Sequence, residues 1–234
     1  MKILRVFLFV VIAATLVAAQ APPHPGVMRW SIKTTIPPGA DIDHAKSVKL
    51  ADMLQFPEPP ASINVTKNDS RFQSALIPSF SNSLNLKEGD IVRVRGWLHI
   101  IAAEDDGDYH IQLSATRSDG NLCLIVEAPR PEAAFVTSSD LWPLLEAERS
   151  WARDKLLHNA AKEPSTGGNC MANPPYVEFT GQLFYDDSHV HDQPRGKKGQ
   201  KAATLWELHP LLKMKFVTRP SPAEPLGDPC PKLP

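Results

Sequence analysis

Apolar residues alternate with polar ones along three successive stretches between Ile91 and Val126, recur at helical spacing from Leu141 to Leu156, and alternate again from Tyr176 to Val217. Alternation of period two predicts strands with one face buried, and helical spacing predicts one amphipathic helix, so the order of elements is β-β-β-α-β-β. The first strand carries Ile91, Val92, Val94, Trp97, Leu98, Ile100 and Ile101, with Gly96 inside it where a bulge or sharp coil would fall. Asp105-Asp106-Gly107-Asp108 predicts a hairpin turn. The second strand, Tyr109 to Thr116, then sets Ile111 and Leu113 on one face and Asp108, His110 and Gln112 on the other. Ser118-Asp119-Gly120 is the next turn, and Leu122 to Val126 the third strand.

The helix is expected over Asp140 to Ala161, with Asp140 as its cap, Pro143 in its first turn, and Leu141, Leu144, Leu145, Ala152 and Leu156 as its apolar stripe. A fourth strand runs about Tyr176 to Tyr185. A fifth runs about Thr204 to Val217, with Trp206, Leu208, Leu212, Met214 and Phe216 alternating against Glu207, Lys213 and Lys215. This order matches a mainly β fold, a five-stranded OB-like barrel with an irregular N-terminal arm. The strands are expected to close in the order first, second, third, fifth, fourth, first, with the helix plugging one end. Before Leu84 the pattern is irregular, with a strand suggested at Met28 to Thr34 and a short helix at Ser47 to Gln55.

Met1-Lys2 and Arg5 precede an apolar run from Val6 to Ala19, shorter than the about 20 residues that span a bilayer, followed by small residues suited to cleavage. The chain therefore divides into a signal peptide over 1–19, an arm over 20–83, a barrel domain over 84–218 and a Pro-rich tail over 219–234, with no transmembrane segment in the mature chain. The expected location is secreted or periplasmic. A formal net charge of -1 argues against a general attraction to polyanions, so nucleic acid is not the expected partner. Of three cysteines, Cys123 lies in a strand, whereas Cys170 and Cys230 lie in loop and tail and could pair after export.

Three polar groups could carry chemistry. Asp108 and His110 flank the acidic first turn; Asp186, Asp187 and His189 follow the fourth strand; Glu207 and His209 sit in the fifth. Carboxylate and imidazole ligands of this kind could hold a divalent metal if the groups converge, but their spacing matches no established zinc or calcium signature, so a metal is not the favoured reading. Arg195, Lys197, Lys198 and Lys201 form a basic loop between the fourth and fifth strands. In an OB barrel that loop flanks the usual ligand face; here it also faces an acidic turn that could simply attract it. The aromatic residues available for stacking a ligand are Trp97, Tyr109 and Tyr185. On the fifth strand, Trp206 and Leu208 should point inward and Glu207 and His209 outward, seeking Arg93, Arg95, the segment around Asp186 and His189, or arm backbone near Lys67-Asn68-Asp69. His158, His24 and His44 are expected to face solvent, and Asn64-Val65-Thr66 matches the N-glycosylation pattern.

Taken as a set, Lys67-Asn68-Asp69, Gly107-Asp108-Tyr109-His110, Phe184-Tyr185-Asp186-Asp187 with His189, and Trp206-Glu207-Leu208-His209-Pro210 resemble the segments of a group of exported bacterial proteins of uncharacterised activity. The resemblance covers roughly Met28 to Phe216. Many of that group carry Gly after the second His, where this chain has Val190. The resemblance implies export and family and brings no activity, cofactor or ligand. The expected function is that of an exported non-catalytic binding or structural protein. A metal-dependent hydrolase using the Asp, His and Glu groups at one end of the barrel is the alternative.

Overall fold

The computed structural model describes residues 28–132, 136 and 138–220. The expected signal peptide, most of the Pro-rich tail, His24 and Cys230 fall outside them. The described chain is mainly β: β1 (Lys46–Ser47), β2 (Ile91–Ala103), β3 (Tyr109–Ser114), β4 (Leu122–Ala128), β5 (Asn169–Cys170), β6 (Tyr176–Tyr185) and β7 (Lys201–Phe216) form one mixed sheet. Three helices accompany it, α1 (Trp30–Lys33), α2 (Leu50–Met53) and α3 (Trp142–Lys155). Among the described residues, no helix is long and apolar enough to cross a membrane.

The five long strands pair β2-β3-β4-β7-β6, and β6 pairs in turn with β2. Every neighbour is antiparallel except β4 and β7, which run parallel. One long strand serves two partners: residues 91–97 of β2 pair with β6, and residues 97–103 with β3. Within the β2–β3 pairing a register shift falls between Leu98 and Ile100, so the irregularity sits at His99 rather than at Gly96. Gly96 has a different reason to lack a side chain, since a Cβ there would lie 2.8 Å from the Ser114 carbonyl oxygen and 2.9 Å from Leu113.

The apolar face of these strands forms the main core, with Val92, Val94, Leu98, Ile111, Leu113, Leu124, Phe179, Trp206 and Leu208 among its members. Residues of the arm complete it: Leu50, Met53, Phe56, Phe72 and Ile77 are buried in the same cluster. Trp206 meets Phe56 at 5.1 Å and Tyr185 at 5.0 Å between ring centroids, and its indole N–H donates to the Pro57 carbonyl at 2.9 Å. A large aromatic with a satisfied polar tip thus fastens the arm to β7.

Local expectations need four corrections. Met28 to Thr34 is not a strand; it contains α1, entered through Arg29 in a left-handed conformation at φ 54°. The short helix near Ser47 is confined to α2, because Lys46 and Ser47 pair with β2 instead. Asp140 caps nothing: it lies in a 3-10 turn (Ser139–Leu141), the α-helical cap position is Leu141, and no side chain caps α3. Finally, α3 ends at Lys155, short of Ala161, and His158 takes a left-handed conformation at φ 53° in the loop beyond it. Leu145, Ala152 and Leu156 are buried as the stripe requires. Arg149 interrupts that stripe, buried over the Tyr109 ring at 3.4 Å and donating to the carbonyls of Gly107 and Ala128 at 2.9 Å each.

Of the cysteines, Cys123 is free and buried, and Cys170 is disulfide-bonded.

Candidate functional site

The second faces of β3, β4 and β7 carry His110, Glu127, and Glu207 and His209, and Asp108 ends the turn immediately before β3. Alternation holds, with Trp206 and Leu208 in the apolar core and Glu207 and His209 opposite them. Outward exposure does not hold: Glu207 is 2 % exposed and His209 0 %. The reason lies in what covers that face. The α1 segment brings Lys33, and the loop after β6 folds back with Asp186 and Arg195, so the strands have an apolar core on one side and a polar one on the other.

Arg195 is the centre of the polar layer. Its guanidinium reaches Glu207 Oε2 at 2.5 Å, Asp186 Oδ2 at 2.6 Å and Glu127 Oε1 at 3.6 Å. Lys33 Nζ sits 3.5 Å from Asp106 Oδ2 and 4.0 Å from Asp108 Oδ2. Lys197 Nζ meets Glu104 Oε2 at 3.0 Å, which joins the basic loop to the acidic first turn by charge attraction. Only Lys198 and Lys201 of the basic loop are exposed. Arg93 and Arg95, expected near Glu207, pair with Glu178 instead, at 3.6 and 2.6 Å. The arm segment Lys67-Asn68-Asp69 likewise serves a different acid: Asp187 Oδ2 accepts from the Asp69 N–H at 2.8 Å, the Asp187 carbonyl accepts from Asn68 at 3.1 Å, and Lys67 pairs with Asp192 at 2.5 Å.

An imidazole and carboxyl chain runs through this layer. His110 Nδ1 lies 3.1 Å from Glu127 Oε1 and its Nε2 lies 3.2 Å from Gln112 Oε1. His209 Nδ1 lies 3.0 Å from Glu127 Oε2 and its Nε2 lies 3.4 Å from Asp108 Oδ2. Among the described residues neither nitrogen of His209 has a well-aimed hydrogen-bond partner, so both contacts are close in distance but poorly directed. Asp108, Glu127 and His209 each offer a ligand atom within 4.8 Å of the others. Glu127 was not singled out from the sequence, because it is one polar residue at the end of an apolar strand with no flanking motif.

Burial dominates the ionisation of these groups. It pushes Asp108 well above the usual carboxyl range, with Lys33 opposing. It pushes Glu207 up as well, opposed by Arg195 and reinforced by Glu127 and Asp186. Against the same burial, Arg195 and the imidazoles of His110 and His209 hold Glu127 well below its ordinary value. Burial is likewise outweighed at Asp186, which Arg195 and His189 lower to about 2. Burial holds His209 below the usual histidine value, favouring the neutral ring.

Beside this layer lies a cavity of about 570 Å³, bounded by Met28 and Lys33 of the arm, the acidic turn, and the loop from Asp186 to Lys197. Glu127 and His110 reach its wall. So does Asp187, whose Oδ1 is buried without a hydrogen-bond partner and whose pKa burial raises to about 6, with Arg29 opposing.

Ser188, His189 and Asp186 are adjacent but do not form a nucleophile system. Ser188 Oγ at 2.9 Å and Asp186 Oδ2 at 2.5 Å both face Nδ1 of His189, whereas activation needs base and orienting acid on opposite ring nitrogens. Cys123 is no better placed, since burial pushes its thiol up to about 12. The stacking aromatics are unavailable too: Trp97, Tyr109 and Tyr185 are 2 %, 0 % and 4 % exposed, packed against Tyr176, Arg149 and Trp206 respectively. Comparison with protein-family models, curated proteins and solved structures finds no match.

Proposed function

We propose that this chain is an exported, non-catalytic binding protein built on an OB-like five-stranded barrel, and that the cavity between its arm and the Asp186–Lys197 loop is the ligand site. The barrel reading is supported by the pairing path β2-β3-β4-β7-β6, in which β6 also pairs with β2 and β4 lies parallel to β7. The observation that carries the binding reading is Asp187 Oδ1, a buried carboxylate oxygen on the cavity wall that lacks a hydrogen-bond partner among the described residues. Leaving such an oxygen unsatisfied costs about 1–3 kcal/mol, which a ligand N–H or O–H would recover. The ligand is accordingly a small polar molecule that donates hydrogen bonds, an amine, amino acid or sugar. A nucleic acid is disfavoured because Arg195 and Lys197 are engaged by Glu207, Asp186 and Glu104.

The test is a thermal-shift screen of the full chain against amines, amino acids and sugars, followed by calorimetry. A ligand whose affinity falls at least tenfold in Asp187→Asn, with the variant still folded, supports the reading. No ligand sensitive to Asp187→Asn overturns it. A second reading, a metal-dependent hydrolase, draws on the convergence of Asp108, Glu127 and His209. It predicts ester, peptide or glycoside hydrolysis that disappears in His209→Ala without loss of thermal stability.

A further inference from the structure

We propose that Asp108, Glu127 and His209 form a binding site for one divalent first-row transition-metal ion, closed behind the cavity and fastening β3, β4 and β7 together. The three ligand atoms lie within 4.8 Å of one another, and side-chain movement of about 1–2 Å brings them to the about 3–4 Å between ligands sharing an ion with bonds of about 2.0–2.2 Å. Glu127 and His209 are held by the β4–β7 ladder, and Asp108 ends the acidic turn immediately before β3, whose first residue, Tyr109, pairs with Ala128 of β4.

His209 supplies the independent observation. It is 0 % exposed, and neither Nδ1 nor Nε2 makes a well-aimed hydrogen bond among the described residues, although a carboxylate oxygen lies 3.0 Å from Nδ1 and 3.4 Å from Nε2. Buried imidazoles ordinarily satisfy at least one nitrogen; one that satisfies neither while flanked by two acids has the surroundings of a ligand awaiting a cation. The carboxylates are prepared in the same sense. Glu127 Oε1 is turned toward His110 at 3.1 Å and Arg195 at 3.6 Å, which leaves Oε2 facing His209. Gln112 in turn holds the far nitrogen of His110 at 3.2 Å.

Charge points the same way. Arg195 and Lys33 face five carboxyls, Glu127, Asp186 and Glu207 on one side and Asp106 and Asp108 on the other. A doubly charged cation reduces that excess where it is most deeply buried. One imidazole and two carboxylates make a donor set of intermediate hardness that suits zinc or manganese better than calcium or magnesium, which take oxygen ligands throughout. Burial of all three residues matches a closed, structural site. The inference stands whether or not the neighbouring cavity takes an organic ligand.

The test uses the full chain, stripped with chelator and titrated with Zn2+ or Mn2+ alone. Calorimetry and elemental analysis after gel filtration should find one equivalent per chain, with a rise in melting temperature on loading. Asp108→Asn and His209→Ala should each weaken binding at least tenfold, whereas His189→Ala and His44→Ala, which alter exposed or cavity-side imidazoles, should not. Because His209→Ala could perturb packing, circular dichroism accompanies each variant, and Asp108→Asn, which keeps the side-chain shape, is the deciding one. Failure of the wild-type chain to bind either ion overturns the proposal. So does binding that Asp108→Asn leaves intact, or binding lost in His189→Ala instead.

Discussion

Removing the guanidinium of Arg29 should release the arm. Arg29 and Glu88 are both fully buried and joined by two parallel bonds of 2.7 Å, Nη1 to Oε1 and Nη2 to Oε2. The guanidinium also donates to the carbonyls of Phe72 at 2.9 Å, Tyr185 at 2.7 Å and Ala75 at 3.1 Å, so its remaining hydrogens tie the arm to β6. Glu88 in turn accepts from the backbone N–H of Ile77 at 2.6 Å and Tyr185 at 2.8 Å. In Arg29→Met the apolar stem is kept, but an unpaired carboxylate and three carbonyls are stranded out of water. Breaking a buried pair in this way costs about 3–5 kcal/mol. For a chain of this size each kcal/mol lowers the melting temperature by about 2–4 °C, so a fall of about 6–20 °C is expected. Replacing both members, as Arg29→Met with Glu88→Leu, should cost less than the sum of the single changes by about 1 kcal/mol or more. Thermal and urea unfolding of the four proteins measures this, and the loss should persist in 0.5 M salt because the pair is shielded from solvent. A loss below about 1 kcal/mol in Arg29→Met, or strictly additive single changes, would refute the assignment of arm docking to this pair.

Arg195→Met leaves Asp186, Glu127 and Glu207 facing one another and should cost about 3 kcal/mol at pH 7.5, with the deficit against wild type narrowing toward pH 5 as the carboxyls take up protons; a pH-independent deficit would point to lost packing instead. Glu148, whose carboxylate accepts from the Met214 N–H at 2.7 Å, has its pKa raised by burial to about 7. Its folded value exceeds the unfolded 4.5, so its contribution to stability falls as pH rises from about 4.5 to 7 and is flat above. The melting temperature of Glu148→Gln should therefore gain on wild type across that window, and a constant offset would contradict it. Gly96→Ala places a Cβ 2.8 Å from the Ser114 carbonyl and should lower stability by about 1–3 kcal/mol in denaturant titration. Cys123, buried with its thiol pushed up to about 12, should resist alkylation in the native protein and react once the chain is unfolded, as mass spectrometry can count.

Much of the sheet was legible because alternation is a local property. The strand pattern around Ile111, Leu113, Trp206 and Leu208 assigns these residues to one face whatever covers the other, and the structure buries all four in the main core. The places where the reading slipped are decided by contacts distant in sequence. Asp140 had the right chemistry for a cap, but it lies inside a 3-10 turn, and the helix start shifts to Leu141–Trp142. Met28 to Thr34 contains β-formers, yet Arg29 is recruited by Glu88, 59 positions away, and the segment turns into α1 at that anchor. Gly96 was read as the place of a bulge or sharp coil, but the register shift falls at His99, and what Gly96 answers to is the close approach of β3 and α2.

The polar layer shows why burial, unlike facing, cannot be taken from alternation. Period two separates Glu207 and His209 from Trp206 and Leu208, and the usual inference is that the polar set meets water. That inference fails when a second element covers the polar face, and nothing near Glu207 in sequence announces that Lys33 and Arg195 will do so. A charged residue signals its burial only through its partner. Asp186, Asp187, His189, Glu207 and His209 attracted notice because they cluster in sequence, whereas Glu127, which touches His110, His209 and Arg195, stands alone at the end of a hydrophobic strand. The same logic explains the basic loop. Arg195 and Lys197 read as ligand-gripping cations until the acidic turn across from them is placed, and then their charges are engaged internally while Lys198 and Lys201 remain exposed. What is left unsatisfied after that internal pairing, Asp187 Oδ1 at the cavity and both nitrogens of His209 behind it, is therefore where binding should be sought.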